Sequence, residues 1–205
     1  MRLPGAPDVR RSLGTVGRDG TTRRLADPGA MLAGTHELAD GSRIRLRLTR
    51  PTDGPRIHDF LERLSPETRL RRFLAPAPAL SEWIVQRFSY YDPRERIVLA
   101  ATGPLDGTEA IVGLADAAFV GEGTAEVAVV VGDQLQGLGL GKVLSEAVAT
   151  LALRRGITRL KAEMLEGNRR MLRLLERLGE TRRCSDGSHA VAYTRLRTDR
   201  RLNAA

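Results

Sequence analysis

Cysteine is almost missing from this chain: Cys184 stands alone among 205 residues. No internal disulfide can form, so a packed core must hold the fold, and the reducing cytoplasm is the expected location. Long apolar runs are missing too. No stretch approaches the ~20 residues that a membrane span requires, so no membrane partner is expected. The opening MRLPGAPDVRRSLG carries arginine but no apolar segment behind it, and no secretory leader is expected there. Aromatic residues make up only 4% of the chain, and arginines such as Arg10, Arg50, Arg87, Arg173 and Arg200 are scattered without interleaved rings. The net charge of +8 therefore does not make nucleic acid an expected partner, although it favours acidic ones. Lysine is the last scarcity: only Lys142 and Lys161 occur, and arginine supplies the other basic residues. That imbalance reads as codon-level base composition rather than as a binding patch.

What is present is an ordinary globular composition, 41% hydrophobic and 28% charged, long enough for one domain and a tail. Residues 1–35 mix Gly, Pro, Thr, Asp and Arg without periodicity and read as a flexible arm. A domain is expected over 36–199 and a short tail over 200–205. Within the domain, Ser42–Thr49 alternates Ile44, Leu46 and Leu48 against arginines, the pattern of a half-buried strand. Thr52 or Asp53 is expected to cap a helix to about Leu64 that buries Ile57, Phe60, Leu61 and Leu64. Ser65 caps a second helical turn, with Pro66 at its first position. A third helix is expected over about Ser81–Phe88.

The period then switches. Arg96–Ala101 and Ala110–Phe119 flank the turn-rich GPLDGTE as a hairpin, and Thr124–Val131 is a further strand. A helix over Val143–Arg155 stops at Gly156, a strand over Ile157–Met164 follows, and a helix over Asn168–Leu178 ends at Gly179. Glu180–Cys184 and His189–Leu196 close the domain as a hairpin. The class is α/β, with strands before, between and after the helices.

Between strand and helix, residues 136–141 read QGLGLG. Such a turn aims backbone N–H groups and the positive end of a helix dipole at one point. A phosphate-binding loop of the GxxxxGK[ST] type would need glycine at Gln136 and a hydroxyl at Val143. A dinucleotide fingerprint needs GxGxxG, whereas this chain has GxGxG and too little sequence after it for a doubly wound sheet. The pattern that remains is QxxGxG.

With its surroundings, that pattern resembles the GNAT family of acyl-CoA-dependent N-acyltransferases. The likeness runs from about Gly41 to Thr198 and is sharpest over Ala125–Gly179, from the strand Val129-Val130-Val131 through the turn to Asn168 and RLLERLG. It implies a central mixed, mostly antiparallel twisted sheet flanked by helices, with two strands splayed at the acyl-CoA site. The backbone of Gly137, Leu138, Gly139, Leu140, Gly141 and Lys142, opened by Gln136, would hold the diphosphate of acetyl-CoA. Val129–Val131 would pair with the pantetheine arm as though it were another strand. Asn168 would meet the pantetheine end while capping its own helix. No metal is expected. Gly139→Val is expected to block the phosphate path and spare the fold.

Transfer to a lysine-type amine, pKa near ~10.4, needs a base. Glu126 is the only charge in TAEVAVVV, and the resemblance to the protein-lysine acetyltransferase subgroup gives a glutamate here that role. Partial desolvation among its apolar neighbours would suit it to the task. The Val129 N–H would meet the developing oxyanion. The segment LERLSPETRLRRF resembles the subgroup's acceptor wall, where Arg69, Arg71 and Arg72 would greet an acidic acceptor. One position departs: Leu175 stands where many members carry a tyrosine acid. The expected activity is acetyl transfer from acetyl-CoA to a primary amine, a small molecule or a protein lysine. A non-catalytic acyl-CoA-binding module of the same fold is the alternative, and a homodimer is left open.

Overall fold

The computed structural model describes residues 32, 34–75 and 82–197. The arm expected over 1–35 falls outside them except at its last residues, and so does the tail over 200–205. Ile44 and Leu46 are buried while Arg43 and Arg45 are exposed, and the alternation builds β2 (Arg43–Leu48). A short strand that the pattern did not reveal, β1 (Thr35–Glu37), pairs with it. The hairpin strands β3 (Arg96–Leu105) and β4 (Thr108–Gly121) outrun their expected bounds. Only Asp106 and Gly107 form the turn between them, at φ of 50° and 79°, a two-residue geometry that Asp-Gly adopts readily. β5 (Thr124–Val131) has the bounds expected of it. β6 (Arg159–Leu165), β7 (Gly179–Asp186) and β8 (His189–Leu196) complete an eight-stranded sheet in the order β1-β2-β3-β4-β5-β6-β8-β7. Every neighbouring pair is antiparallel except β5 with β6.

Helices cover both faces. On one lie α1 (Gly54–Glu62), α2 (Pro66–Phe73) and α3 (Glu82–Ser89). Ile57, Phe60 and Leu61 of α1 and Ile84 and Phe88 of α3 pack on Val98, Ile111, Leu114 and Val130 of the sheet. Each such side chain contributes about 1.5–3 kcal/mol by leaving water. On the other face α4 (Leu140–Arg154) and α5 (Arg169–Leu178) bury Leu144, Val148, Leu175 and Leu178 against Leu99, Ala115, Val127 and Leu160. Helix α2 differs from the rest, since none of its residues is buried. Ser65 caps it as expected, its hydroxyl accepting from the Thr68 N–H at 3.2 Å.

The capping role expected of Thr52 or Asp53 is corrected. Residues Pro51–Asp53 form a 3-10 turn, and the Asp53 side chain makes no cap bond to α1. Its carboxylate turns back to take both Arg47 Nη atoms at 2.7 Å and the Arg50 N–H at 2.8 Å. Burial works to raise the Asp53 pKa, but these donors outweigh it and hold the group below its ordinary value. Its stabilising contribution is therefore complete above the unfolded pKa near ~3.9 and disappears as pH falls through the lower folded one. Asp53→Asn is expected to lower the melting temperature at neutral pH and to converge with wild type in strong acid. Thermal melts across that range would check it.

Gly179 ends α5 as expected, for an unexpected reason. Its φ of 176° is ordinary extended backbone, but a Cβ there would lie 1.9 Å from the Arg195 carbonyl oxygen. The close approach of β7 to β8 requires glycine, not a left-handed stop.

Candidate functional site

β5 stays paired with β4 along its whole length, from Gly121 opposite Thr124 to Gly113 opposite Val131. With β6 it pairs only at Thr124–Arg159, Ala125–Leu160 and Glu126–Lys161. Beyond Glu126 the strands part. The Gly132 N–H donates to the Val112 carbonyl at 2.9 Å, which fixes the alternation. The peptide groups of Ala128 and Val130 therefore face β4, and those of Val127, Val129 and Val131 face the opening. A cleft of about 540 Å³ fills this wedge. Val129, Val130 and Val131 line it, as do Gln136, Gly137, Gly139, Gly141, Lys142 and Asn168.

The turn at its mouth explains its own glycines. Gly137 and Gly139 have φ of 84° and 97°, a region that side chains with a Cβ rarely enter. A Cβ at either would meet nothing within 4 Å, so conformation and not crowding requires glycine. Gly139→Val would strain the backbone itself, and the expectation that it spares the fold is corrected. Leu138 and Leu140 do not line the cleft. Leu140 is fully buried, and the Leu138 carbonyl accepts from the Ala39 N–H at 3.1 Å. The alternation thus turns Leu140 into the core, lays Leu138 partly against it and leaves backbone at the mouth. Helix α4 starts at Leu140, ahead of the expected Val143, with Lys142 exposed in its first turn. The N–H groups of residues 137–141 have no acceptor among the described residues.

Gln136 staples the turn to its surroundings. Its Nε2 donates to Thr68 Oγ1 at 3.1 Å and to the Val131 carbonyl at 3.2 Å, and its Oε1 accepts from Arg170. Asp133, absent from the sequence expectations, takes the Ser65 hydroxyl at 2.7 Å and the Thr68 hydroxyl at 2.6 Å. Burial pushes its pKa up, but those hydrogen bonds and the Ser65 N–H outweigh burial and hold it low. One end of α2 is thereby fixed over β5. Asn168 caps α5, its Oδ1 accepting from the Met171 N–H at 3.1 Å, while its Nδ2 has no partner among the described residues. Arg71, Arg72, Lys142, Arg170, Arg173 and Arg177 also line the cleft, against one acid, Glu163.

Glu126 stands at the apex of the wedge without lining the cleft. Its side chain is 41% exposed, more open than its apolar neighbours suggest, and Lys161 Nζ lies 3.7 Å from its Oε2. On the same face of β4, Asp116 is buried at 5% exposure. Arg72 Nη2 reaches it at 2.5 Å and Arg96 Nη1 at 2.6 Å, while Arg72 also sits over the rings of Phe73 and Phe88. Sequence reasoning missed this triad. The signal that singles out Glu126, one charge in an apolar strand, is equally present at Asp116 in GLADAAF.

Leu175, at the position of the missing tyrosine, is 1% exposed and packed in the core. Cys184 is exposed on β7 and stands opposite Val191. Among the described residues no group of His, Cys, Asp and Glu side chains is arranged to hold a metal ion.

The profile of the Acetyltransferase (GNAT) family matches residues 57–179. An acetyltransferase of Pseudomonas aeruginosa is 33% identical over 154 residues, which cover 73% of this chain and 83% of that protein. The acetyltransferase Pat of Mycolicibacterium smegmatis is 34% identical over 151 residues, covering 70% of this chain but 43% of that longer protein. The crystal structure of the GNAT domain of S. lividans PAT aligns with a TM-score of 0.72 at 31% identity, covering 82% of this chain and 98% of that one.

Proposed function

Since this chain belongs to the acetyltransferase (GNAT) family and is an acyl-CoA-dependent N-acetyltransferase, we propose that it acetylates a primary amine, on a small molecule or a protein lysine, with Glu126 as general base. The observation that carries the reading is the wedge between β5 and β6, open on one side to unpaired strand and on the other to unpaired turn.

Acetyl-CoA has an acidic end and an amide-rich arm, and the two sides of the wedge suit them in that order. The N–H groups of residues 137–141 and the N-terminus of α4 would take the diphosphate. The guanidinium groups of Arg173 and Arg177 and the Lys142 ammonium add positive charge at the mouth. The free edge of β5 would pair with the pantetheine amides, and Asn168 Nδ2 with a pantetheine carbonyl. The Val129 N–H, which has no strand partner, would donate to the thioester oxygen as charge develops there. The amine nitrogen forms its bond to the acyl carbon, its proton passes to Glu126, and the carbon–sulfur bond breaks. The thiolate of CoA leaves and is reprotonated. A thiol pKa near ~8.5 makes that departure tolerable without a tyrosine acid. The buried Leu175 favours a second reading, an acyl-CoA binder without turnover, which thiol release across a panel of amines would separate from the first.

Acetyl-CoA at a hundredfold excess over its dissociation constant is expected to stabilise the fold by about 2.7 kcal/mol, because the unfolded chain has no wedge. Differential scanning fluorimetry reads this as a raised melting temperature, and folded protein that ignores millimolar acetyl-CoA would overturn the assignment. Gly141→Leu is the matching variant. A Cβ at Gly141 lies 3.5 Å from Leu174 and 3.8 Å from Val131, ordinary contacts on both walls. A longer side chain must then extend into the cleft, while position 141 stays helical. Its apo melting temperature is expected to stay close to wild type and its acetyl-CoA shift to vanish.

A further inference from the structure

One row of residues crosses the sheet in register: Arg96 on β3, Ala118 on β4, Glu126 on β5, Lys161 on β6, Tyr193 on β8 and Arg182 on β7. Its centre is the last pair before β5 and β6 part. Lys161 Nζ there is shared unequally, 2.6 Å from Glu163 Oε1 and 3.7 Å from Glu126 Oε2. We propose that Lys161 and Glu163 act together as positioning residues that set the charge balance at Glu126, Glu163 drawing the shared ammonium toward itself.

The inference rests on Glu126 being the base. An ammonium in direct contact would stabilise the carboxylate and make it a poor proton acceptor. A base with no neighbouring cation would, in contrast, be protonated too readily beside a second carboxylate. The observed arrangement lies between these limits. Glu163 stands two residues from Lys161 on β6, hence on the same face, and draws the ammonium toward itself by the shorter bond. The hydrogen bond that Lys161 donates to Glu163, ahead of the opposing effect of burial, holds the Lys161 pKa above its ordinary value, so the cation is present throughout the working range.

Among the described residues no other charged group comes within ion-pair distance of Glu126, although Arg96 feels its charge from farther off. From β4 the same face presents Asp116, already held between Arg72 of α2 and Arg96 of β3. Arg96 itself is separated from Glu126 by the small side chain of Ala118. From β8 it presents Tyr193, directly across from Lys161. The identity of the residue matters as well. Lys142 and Lys161 are the only lysines among 33 basic residues, and Arg159 begins the same strand. A lysine is a compact charge that two carboxylates can share from one atom, whereas the planar fork of an arginine fixes on one.

The two residues then have opposite effects when removed. Lys161→Met leaves Glu126 near Glu163 without the cation, and the Glu126 titration should move up. Glu163→Gln frees Lys161 to close on Glu126, and the titration should move down. Exposure of 26% for Lys161 and 41% for Glu126 screens the interaction, so each shift should be ~0.5–1 pH unit and should shrink in ~1 M salt. The first experiment needs no acceptor: carboxyl-carbon NMR titration of protein labelled at glutamate, with Glu126 identified by its loss in Glu126→Gln. Opposite shifts in the two variants support the proposal; shifts in one direction, or none, overturn it. The acid limb of kcat/KM, read by thiol release from acetyl-CoA with poly-L-lysine, should follow the same two shifts. An acid limb that stays put while the NMR titration moves would overturn the role of Glu126 as base and leave its coupling to Lys161 standing.

Discussion

Turnover by Glu126→Gln is expected to fall about 10²–10⁴-fold at neutral pH, with acetyl-CoA affinity nearly unchanged. The amide matches the carboxylate in size, and position 126 does not line the cleft, so the donor site has no reason to change. Register with Lys161 is set by backbone, and Lys161 keeps its closer partner in Glu163. With Glu126 as the proposed base, the variant lacks the acceptor for the amine proton. A lysine-type amine at neutral pH is almost wholly protonated, its pKa being ~10.4. The deficit should therefore narrow as pH rises and more amine arrives unprotonated. Thiol release against pH for both proteins, with melting shifts by acetyl-CoA as the binding control, measures each half separately. Wild-type turnover by the variant near neutrality would hand the proton to water or to another group.

The largest effect on stability is expected at Asp116. Asp116→Asn keeps the shape and one acceptor but removes the charge that compensates both Arg72 and Arg96, whose side chains are 13% and 15% exposed. Breaking a buried ion pair from one side costs ~3–5 kcal/mol, because the surviving charge has no partner and little water. For a domain of this size that is a drop of roughly 6–20 °C in melting temperature. The loss should be larger than for Arg96→Met, which leaves Asp116 its bond to Arg72. Replacing Arg72, Asp116 and Arg96 together by Met, Leu and Met should recover much of the deficit, since no buried charge is then left alone. Urea melts of the single, triple and wild-type proteins would decide. An Asp116→Asn protein as stable as wild type would mean that water reaches the triad freely.

Such long-range pairs mark the limit of what the sequence discloses. The glycine spacing of QGLGLG, the Asp-Gly turn of the β3–β4 hairpin and the lone charge in TAEVAVVV are local, and their meaning is carried by a few consecutive residues. Asp53 was legible as a cap because it precedes a helix, but Arg47 competes for its carboxylate and wins with two bonds. Asp116 meets Arg72 from 44 residues away and Arg96 from 20. Asp133 meets Ser65 across 68. No periodicity announces contacts of that kind; they appear only once the sheet order brings β3, β4 and β5 side by side. Strand β1 escaped notice for a different reason, since three residues are too few to show an alternation.

The parting of β5 from β6 also bears on what can add to this sheet. A strand edge with unpaired peptide groups usually invites another chain to add to it, and sheets normally blunt or cover such edges at their rims. Here the unpaired edge is not at the rim. It lies inside the sheet, closed at one end where Glu126 meets Lys161 and roofed by α2 and α5. A second copy of the domain cannot reach it with a strand that is itself part of a sheet. A single extended chain, entering past the turn at residues 137–141, needs less room than a sheet does. The same geometry that leaves room for one flexible arm therefore denies the edge to aggregation.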